Sequence, residues 1–176
     1  MSRERTEMLR SFVRDVPDFP KPGILFRDIT PLLASPVAFT TCLDLFAEHY
    51  VNAEVDIIVG IESRGFIFGA ALAARMLKSF VPARKPGKLP RATERVHYEL
   101  EYGRDAMELH KDALPASARV LVVDDLIATG GTAWATAELI RRQRCTVVAA
   151  AFVIELSALD GRQRLRPVQS MSLLRY

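Results

Sequence analysis

The chain has little cysteine: only Cys42 and Cys145 among 176 residues, far apart and without a CxxC or Cys/His ligand spacing. That pattern excludes a disulfide framework and gives no support to a zinc site. Each cysteine sits in an apolar pattern and reads as a small core residue. Long hydrophobic runs are missing too. The longest, Val147–Ile154, falls far short of the roughly 20 residues a membrane helix needs. No signal-peptide pattern opens the chain, so the expected compartment is the cytoplasm. Internal repeats and low-complexity tracts are absent. Charge is nearly balanced, with 24 basic and 21 acidic residues giving a formal net charge of +3. The basic residues are scattered apart from Arg141-Arg142 with Arg144 and the Arg162–Arg166 stretch. Those read as solvated surface, because a nucleic-acid footprint needs a clustered face. What is present, 49% hydrophobic and 26% charged residues, suits one soluble domain over residues 1–176 with a sizeable core.

Apolar spacing places a helix up to about Arg14 and another over Val37–Tyr50, started by Ser35-Pro36. Between them, three prolines and Gly23 in DFPKPGILFRDITP imply an irregular arm with a short strand at most. Short apolar runs at Val55–Gly60, Phe80–Arg84, Arg119–Asp124 and Thr146–Glu155 read as strands. Helical patterns at Phe66–Leu77 and Thr132–Gln143 alternate with them. Strands apolar on both faces, alternating with helices, indicate an α/β fold with a mainly parallel twisted sheet covered by helices. Right-handed crossovers then bring the loops after Gly60, Ala83 and Asp124 to one sheet edge, where such folds bind ligands.

The strongest segment is VLVVDDLIATGGT, Val120–Thr132. Its aliphatic strand ends at Asp124-Asp125 and leads through Ala128-Thr129-Gly130-Gly131-Thr132 into a helix. Glycines let backbone amides approach an oxyanion, and a helix start offers unpaired N–H groups with a positive dipole end. Thr129 and Thr132 add hydroxyl donors. This is a monophosphate cradle, and neither a Walker A loop nor G-x-G-x-x-G. The plain alternative is a tight strand–helix turn capped near Thr132. Two carboxylates beside a phosphate site need another partner; ribose hydroxyls or a hydrated Mg²⁺ would serve. Ribose 5-phosphate satisfies both ends. GIESRGF, Gly60–Phe66, offers a second amide-rich turn with Ser63, Arg64 and Gly65. Arg84, Lys85 and Lys88 follow another strand. Singly these cations read as surface charge; gathered on one sheet edge they suit a substrate with several phosphates.

VLVVDDLIATGGT resembles the phosphoribosyl-pyrophosphate signature of the type I phosphoribosyltransferase family. FPKPGILFRDITPLL (Phe19–Leu33), GIESRGF, RKPGKLP and YELEYGRDAMELHKDAL (Tyr98–Leu114) resemble further blocks of its adenine-using members, in order along nearly the whole chain. The resemblance implies the reaction of adenine with phosphoribosyl pyrophosphate to AMP and pyrophosphate, with Mg²⁺, in a homodimer. It implies that Ala128, Thr129, Gly130, Gly131 and Thr132 hold the 5-phosphate, and that Asp124 and Asp125 face the ribose. Ser63, Arg64, Arg84, Lys85 and Lys88 would hold pyrophosphate, Lys88 across a dimer interface; Arg64 joins the acids among the catalytic candidates. Phe26 and Leu126 would sandwich the base, with Leu25 and Arg27 offering backbone groups to its edge and Ala128 close by, from a small N-terminal hood over residues 1–33. Glu101 would be the acid/base carboxylate of a mobile catalytic loop, 91–103, and Tyr102 would cover the site. Mg²⁺ would be held mainly by substrate, Asp124 and Asp125 being the only protein candidates.

Arg91–Gly103 lacks a clear apolar period and carries charges and tyrosines, which suits a lid; a plain surface hairpin is the alternative. Trp134 is bulky for its place and is expected to pack beneath its helix, while His97 and His110 have no evident partner. Two rivals remain: a transferase for hypoxanthine or guanine, and a phosphoribosyl-pyrophosphate-sensing regulator. The second is expected to carry a DNA-binding domain, for which 176 residues leave no room.

Overall fold

The computed structural model describes residues 3–99 and 103–176. These fall into two compact units that divide between His49 and Tyr50. The first holds α1 (Arg3–Ser11), β1 (Arg14–Pro17), β2 (Leu25–Asp28), α2 (Thr30–Ala34) and α3 (Pro36–His49). Helix α3 begins where expected: the Ser35 hydroxyl accepts the Ala38 N–H at 3.2 Å, and Pro36 occupies the first turn, where its missing N–H costs nothing. Leu9 of α1 is fully buried, and Arg5 reaches Glu48 of α3 through two hydrogen bonds of 2.7 and 2.6 Å. The proline-rich arm is more regular than its composition suggests. Pro20 and Pro22 fall in the bend, Pro17 ends β1 and Pro31 enters the first turn of α2, so Arg14–Pro17 and Leu25–Asp28 pair as an antiparallel hairpin, Phe26 opposite Val16. Gly23 turns the chain at φ +85° and donates its N–H to the Asp18 carboxylate at 2.7 Å. Phe19 packs edge-on against Phe26, with ring centroids 5.1 Å apart.

The second unit contains β3 (Ile57–Ile61), α4 (Gly65–Met76), β4 (Ser79–Ala83), β5 (Thr93–Glu99), β6 (Arg104–His110), β7 (Arg119–Ile127), α5 (Gly131–Arg142), β8 (Thr146–Glu155), a 3₁₀ turn at Ser157–Leu159, α6 (Gly161–Arg164) and β9 (Ser170–Arg175). Five strands form one all-parallel sheet in the order β4-β3-β7-β8-β9. Alternation sorts the side chains between the two faces. Ile57, Val59, Ile61, Val120 and Val122 join Leu139 and Ile140 of α5 in one core cluster. Gly60, on the other face, receives α4 so closely that a Cβ on Gly69 would lie 3.2 Å from its Cα. A fully buried side chain such as Phe152 contributes about 1.5–3 kcal/mol on this account.

Two segments differ from the sequence expectation, and a third pairs as the hairpin it held as an alternative. Strand β7 runs past Asp124 to Ile127 and stays paired with β8 as far as Glu155, so the acids lie within the strand. Strand β9 had no apolar run long enough to announce it, yet it pairs with β8 along Ala150–Glu155. Strands β5 and β6 form a regular hairpin, Thr93 opposite His110 through Glu99 opposite Arg104. Its inward period is carried on β5 by only Val96 and Tyr98, which charged neighbours mask. Trp134 packs against the core cluster under the guanidinium of Arg164, 5.6 Å from its ring centre. His97 is exposed on β5, and the His110 carbonyl accepts the Gln143 side-chain amide at 2.9 Å. Glu101 and Tyr102 lie outside the described residues. Among those described, no helix is long and apolar enough to cross a membrane.

Candidate functional site

Strand order reverses between β3 and β7: the chain goes outward from β3 to β4, then returns to the other side of β3 and continues to β9. Loops leaving the carboxyl ends of β3 and β7 therefore part from each other, and the crevice between them is where ligands enter such sheets. The acid pair, the glycine loop and the Glu62–Gly65 turn all belong to these two strands.

The glycine loop sits between β7 and α5. Gly130 adopts φ +75°, ψ +5° as the N-terminal flanking residue of α5 and carries no side-chain cap, so first-turn amides are left for a ligand. A cavity of about 160 Å³ is lined by residues 126–133 and by Tyr98, room for several waters at about 30 Å³ each, hence for an oxyanion. The loop is braced from below. A Cβ on Gly130 would lie 2.4 Å from the Gly161 carbonyl oxygen, and one on Gly161 would lie 2.2 Å from that of Ala128. Gly131 faces the Tyr98 ring, 2.7 Å from where its Cβ would stand. Thr129 is exposed, whereas Leu126, Ala128 and Thr132 are half-buried.

Both acids are buried, Asp124 at 8% and Asp125 at 6% exposure, and both converge on the turn after β3. Asp124 Oδ1 accepts the Asp125 N–H at 2.8 Å and lies 2.7 Å from where a Cβ on Gly65 would stand. Only glycine there leaves room for the carboxylate. Asp125 Oδ2 lies 2.9 Å from Arg64 Nε and, beyond that ion pair, accepts no hydrogen bond among the described residues. Burial, followed by the neighbouring Asp125, pushes the Asp124 carboxyl well above the usual carboxylate range. Burial also raises Asp125, with Arg64 pulling the other way. The pair is poised to gain from a positive partner.

Ser63 is exposed in the Glu62–Gly65 turn, whose Glu62–Ser63 peptide is cis. Glu62 organises the cations. Its Oε1 accepts Arg84 Nη2 at 3.0 Å and its Oε2 accepts the Lys85 N–H at 2.7 Å. Burial opposes its charge, but these two donors outweigh it and hold Glu62 below its ordinary value. Arg84 also donates to the Lys88 carbonyl at 3.0 Å, and Lys88 is exposed. Lys85 Nζ donates to Tyr98 Oη at 2.6 Å and contacts Asp105 Oδ2. Burial alone would lower the Lys85 ammonium; Asp105 and Tyr98 outweigh it and raise the pKa. Glu108, 2% exposed, accepts Arg95 Nε at 2.7 Å and the Gly87 N–H at 3.2 Å. The cation loop is thus tied to the β5–β6 hairpin. Leu25, Phe26 and Arg27 lie on β2 of the N-terminal unit, where Arg27 pairs with Asp15.

Sequence reasoning missed Glu62, Tyr98, Asp105, Glu108 and Gly161. Glu62 sits inside GIESRGF and could have been weighed as a holder of cations. Gly161 follows Asp160 in a turn-like pair, a signal too common to single it out. The others act through pairings that only the folded hairpin creates.

The chain matches the phosphoribosyl transferase domain family over residues 29–171. It is 57% identical to an adenine phosphoribosyltransferase of Acaryochloris marina, over 96% of this chain and 99% of that one. Among solved structures, that of adenine phosphoribosyltransferase from Thermoanaerobacter pseudethanolicus superposes with a TM-score of 0.95 at 46% identity, covering 97% of this chain and 99% of the other. The Saccharomyces cerevisiae enzyme, complexed with D-2,5-dideoxy-2,5-imino-altritol 1,6-bisphosphate and adenine, matches at a TM-score of 0.92 and 40% identity, over 97% and 99% of the two chains.

Proposed function

The chain belongs to the phosphoribosyl transferase family, and from that premise we propose that it is an adenine phosphoribosyltransferase of purine salvage, converting adenine and phosphoribosyl pyrophosphate to AMP and pyrophosphate. The observation that carries this reading is the buried Asp124-Asp125 pair, followed in the same strand–helix unit by the uncapped Gly130-Gly131 turn. Such a unit offers acceptors for a ribose diol beside donors for a 5-phosphate. Identity above 50% to an adenine enzyme over nearly all of both chains and a bound adenine in the yeast relative support the choice of base.

Displacement at the anomeric carbon builds positive charge on the ribose and negative charge on the leaving pyrophosphate. Asp124 and Asp125 face the first. Arg84, Lys85 and Lys88, with the Ser63 hydroxyl and Arg64, face the second. The Ala128–Thr132 amides and hydroxyls fix the 5-phosphate, so the reacting carbon is held in position. Among the described residues no three His, Cys, Asp or Glu side chains gather as a metal cage. Mg²⁺ characteristically takes one or two carboxylates and completes its shell with substrate phosphates and water, and the Asp124-Asp125 pair fits that demand. When bound it would neutralise charge on the leaving group. We assign base recognition to Leu25, Phe26 and Arg27, and separately to Leu126 and Ala128. The reading includes a cytoplasmic homodimer in which the exposed Lys88 acts on the neighbouring site.

Product analysis with Mg²⁺, phosphoribosyl pyrophosphate and each purine tests the function. Adenine and hypoxanthine stack alike but differ at position 6 and reverse their hydrogen-bonding sense at N1. Unpaired buried groups cost about 1–3 kcal/mol each, and hydrogen-bonding sites can reject a mismatch by roughly 10⁴-fold. Initial velocity at equal base concentrations is expected to be strong with adenine and negligible with hypoxanthine and guanine. Comparable rates would overturn the base assignment. No turnover with any purine, alongside intact phosphoribosyl-pyrophosphate binding, would favour the sensing regulator. Glu101 is assigned the acid/base role from sequence alone. Glu101→Gln is expected to lower kcat with little change in KM; an unchanged kcat would leave the loop as a cover only.

A further inference from the structure

We infer that Asp105 competes with pyrophosphate for the Lys85 ammonium, and so sets how readily pyrophosphate leaves. The inference rests on the reading of Lys85 as a pyrophosphate cation. Lysine has three N–H donors on a flexible four-carbon stem. Two acceptors claim it here, Tyr98 Oη at 2.6 Å and Asp105 Oδ2. Tyr98 in turn donates to Asp105 Oδ2 at 2.9 Å, which closes a ring of three groups. The carboxylate has anchors of its own, because Oδ1 accepts the Ala106 N–H at 2.7 Å. The Lys85 main chain is held independently by Glu62. The side-chain ammonium is therefore the part free to change partners.

The cluster is open enough for that exchange, with Lys85 and Asp105 side chains 33% and 31% exposed. Tyr98 joins it to the phosphate cavity, whose wall it forms. A polyanion carries more charge than one carboxylate and takes the ammonium from it. When pyrophosphate loosens, Asp105 offers Lys85 a ready partner on β6 and repels the departing anion. Asp105 thereby weakens pyrophosphate binding and favours its release. It acts through Lys85 and is a positioning residue.

The experiment is pyrophosphate inhibition of the full-length enzyme, measured against phosphoribosyl pyrophosphate. Asp105→Asn keeps the shape and the Ala106 hydrogen bond while removing the charge. It is expected to tighten pyrophosphate inhibition by roughly threefold to tenfold, to lower KM for phosphoribosyl pyrophosphate, and to leave KM for adenine unchanged. Asp105→Glu should return inhibition towards wild type. In a Lys85→Gln background, Asp105→Asn should change little. Weaker or unchanged inhibition in Asp105→Asn overturns the inference, as does an effect of the same size in the Lys85→Gln background, which would mark bulk charge instead of competition for Lys85. Wild-type pyrophosphate inhibition in Lys85→Gln alone would overturn the pyrophosphate assignment of Lys85 and this inference with it, whatever Asp105→Asn does. If the asparagine variant does not fold, Asp105→Ser takes its place with the same readout.

Discussion

Gly130→Val is expected to abolish phosphoribosyl-pyrophosphate binding while the sheet stays folded. Two independent effects act at this position. The backbone sits at φ +75°, where a β-branched residue is strongly disfavoured. A Cβ there would also lie 2.4 Å from the Gly161 carbonyl oxygen, a backbone atom that cannot rotate aside. Gly161 has no retreat, since its own position is pinned against Ala128. The loop must lift away from α6, and its amides leave the positions from which they would meet a phosphate. Displacement of about 1 Å is enough to cost roughly 10²-fold in rate. Calorimetry should show no measurable binding, with a far-UV spectrum like that of the wild type.

Gly161→Ala sharpens the test. Gly161 lies outside the cavity lining, yet its added methyl would meet the Ala128 oxygen at 2.2 Å and the Gly130 nitrogen at 2.7 Å. It should reproduce much of the loss without touching substrate. Wild-type affinity in both variants would show that this loop does not hold the phosphate.

The parts of the site that were legible in the sequence are those whose chemistry is local. Asp124-Asp125 and Gly130-Gly131 announce themselves because strand, acid pair, glycines and helix follow one another along Val120–Thr132. The parallel sheet was legible for the same reason, since Ile57–Ile61, Val120–Val123 and Val147–Ile154 are continuous apolar runs. What stayed hidden depends on partners distant in sequence. Strand β9 borrows its order from β8, so Ser170–Arg175 needed no strong pattern of its own. Lys85 looked like a free surface cation because its partners, Tyr98 and Asp105, arrive on a hairpin whose apolar period is two residues long on β5. Gly161 carried no signal of its own, because the reason for its missing side chain lies at Ala128 and Gly130, beyond α5 and β8 along the chain. What the sequence could not show is the partner of the two acids: the turn at Ser63–Gly65 comes to meet both, Gly65 giving room to Asp124 and Arg64 charge to Asp125.

Asp124→Asn is expected to cut turnover strongly and yet stabilise the protein. The carboxylate is buried and its ionised form is opposed by desolvation and by Asp125, so it is an expensive group to keep. Asparagine has nearly the same shape, and its carbonyl oxygen can still accept the Asp125 N–H and fit the space that Gly65 leaves open. The loss appears when positive charge develops on the ribose, because the neutral amide no longer answers it. Removing one preorganised electrostatic stabiliser costs roughly 10²–10³ in kcat. The stability gain has a definite pH dependence. The folded-state pKa of Asp124 lies above its ordinary 3.8, so the folded protein binds this proton more tightly than the unfolded chain. That contribution is fully present below the ordinary value and is lost as pH rises from there through the raised folded value. Above that window the wild type carries an unfavourable buried charge and the variant does not. Urea melts in EDTA, recorded from below the ordinary carboxylate value to neutral pH, should show the wild type losing stability relative to Asp124→Asn as pH rises. Equal slopes in the two proteins would show that Asp124 does not titrate upward. A variant that is stabilised but turns over at the wild-type rate would remove this carboxylate from the chemistry, leaving Asp125 alone to face the sugar.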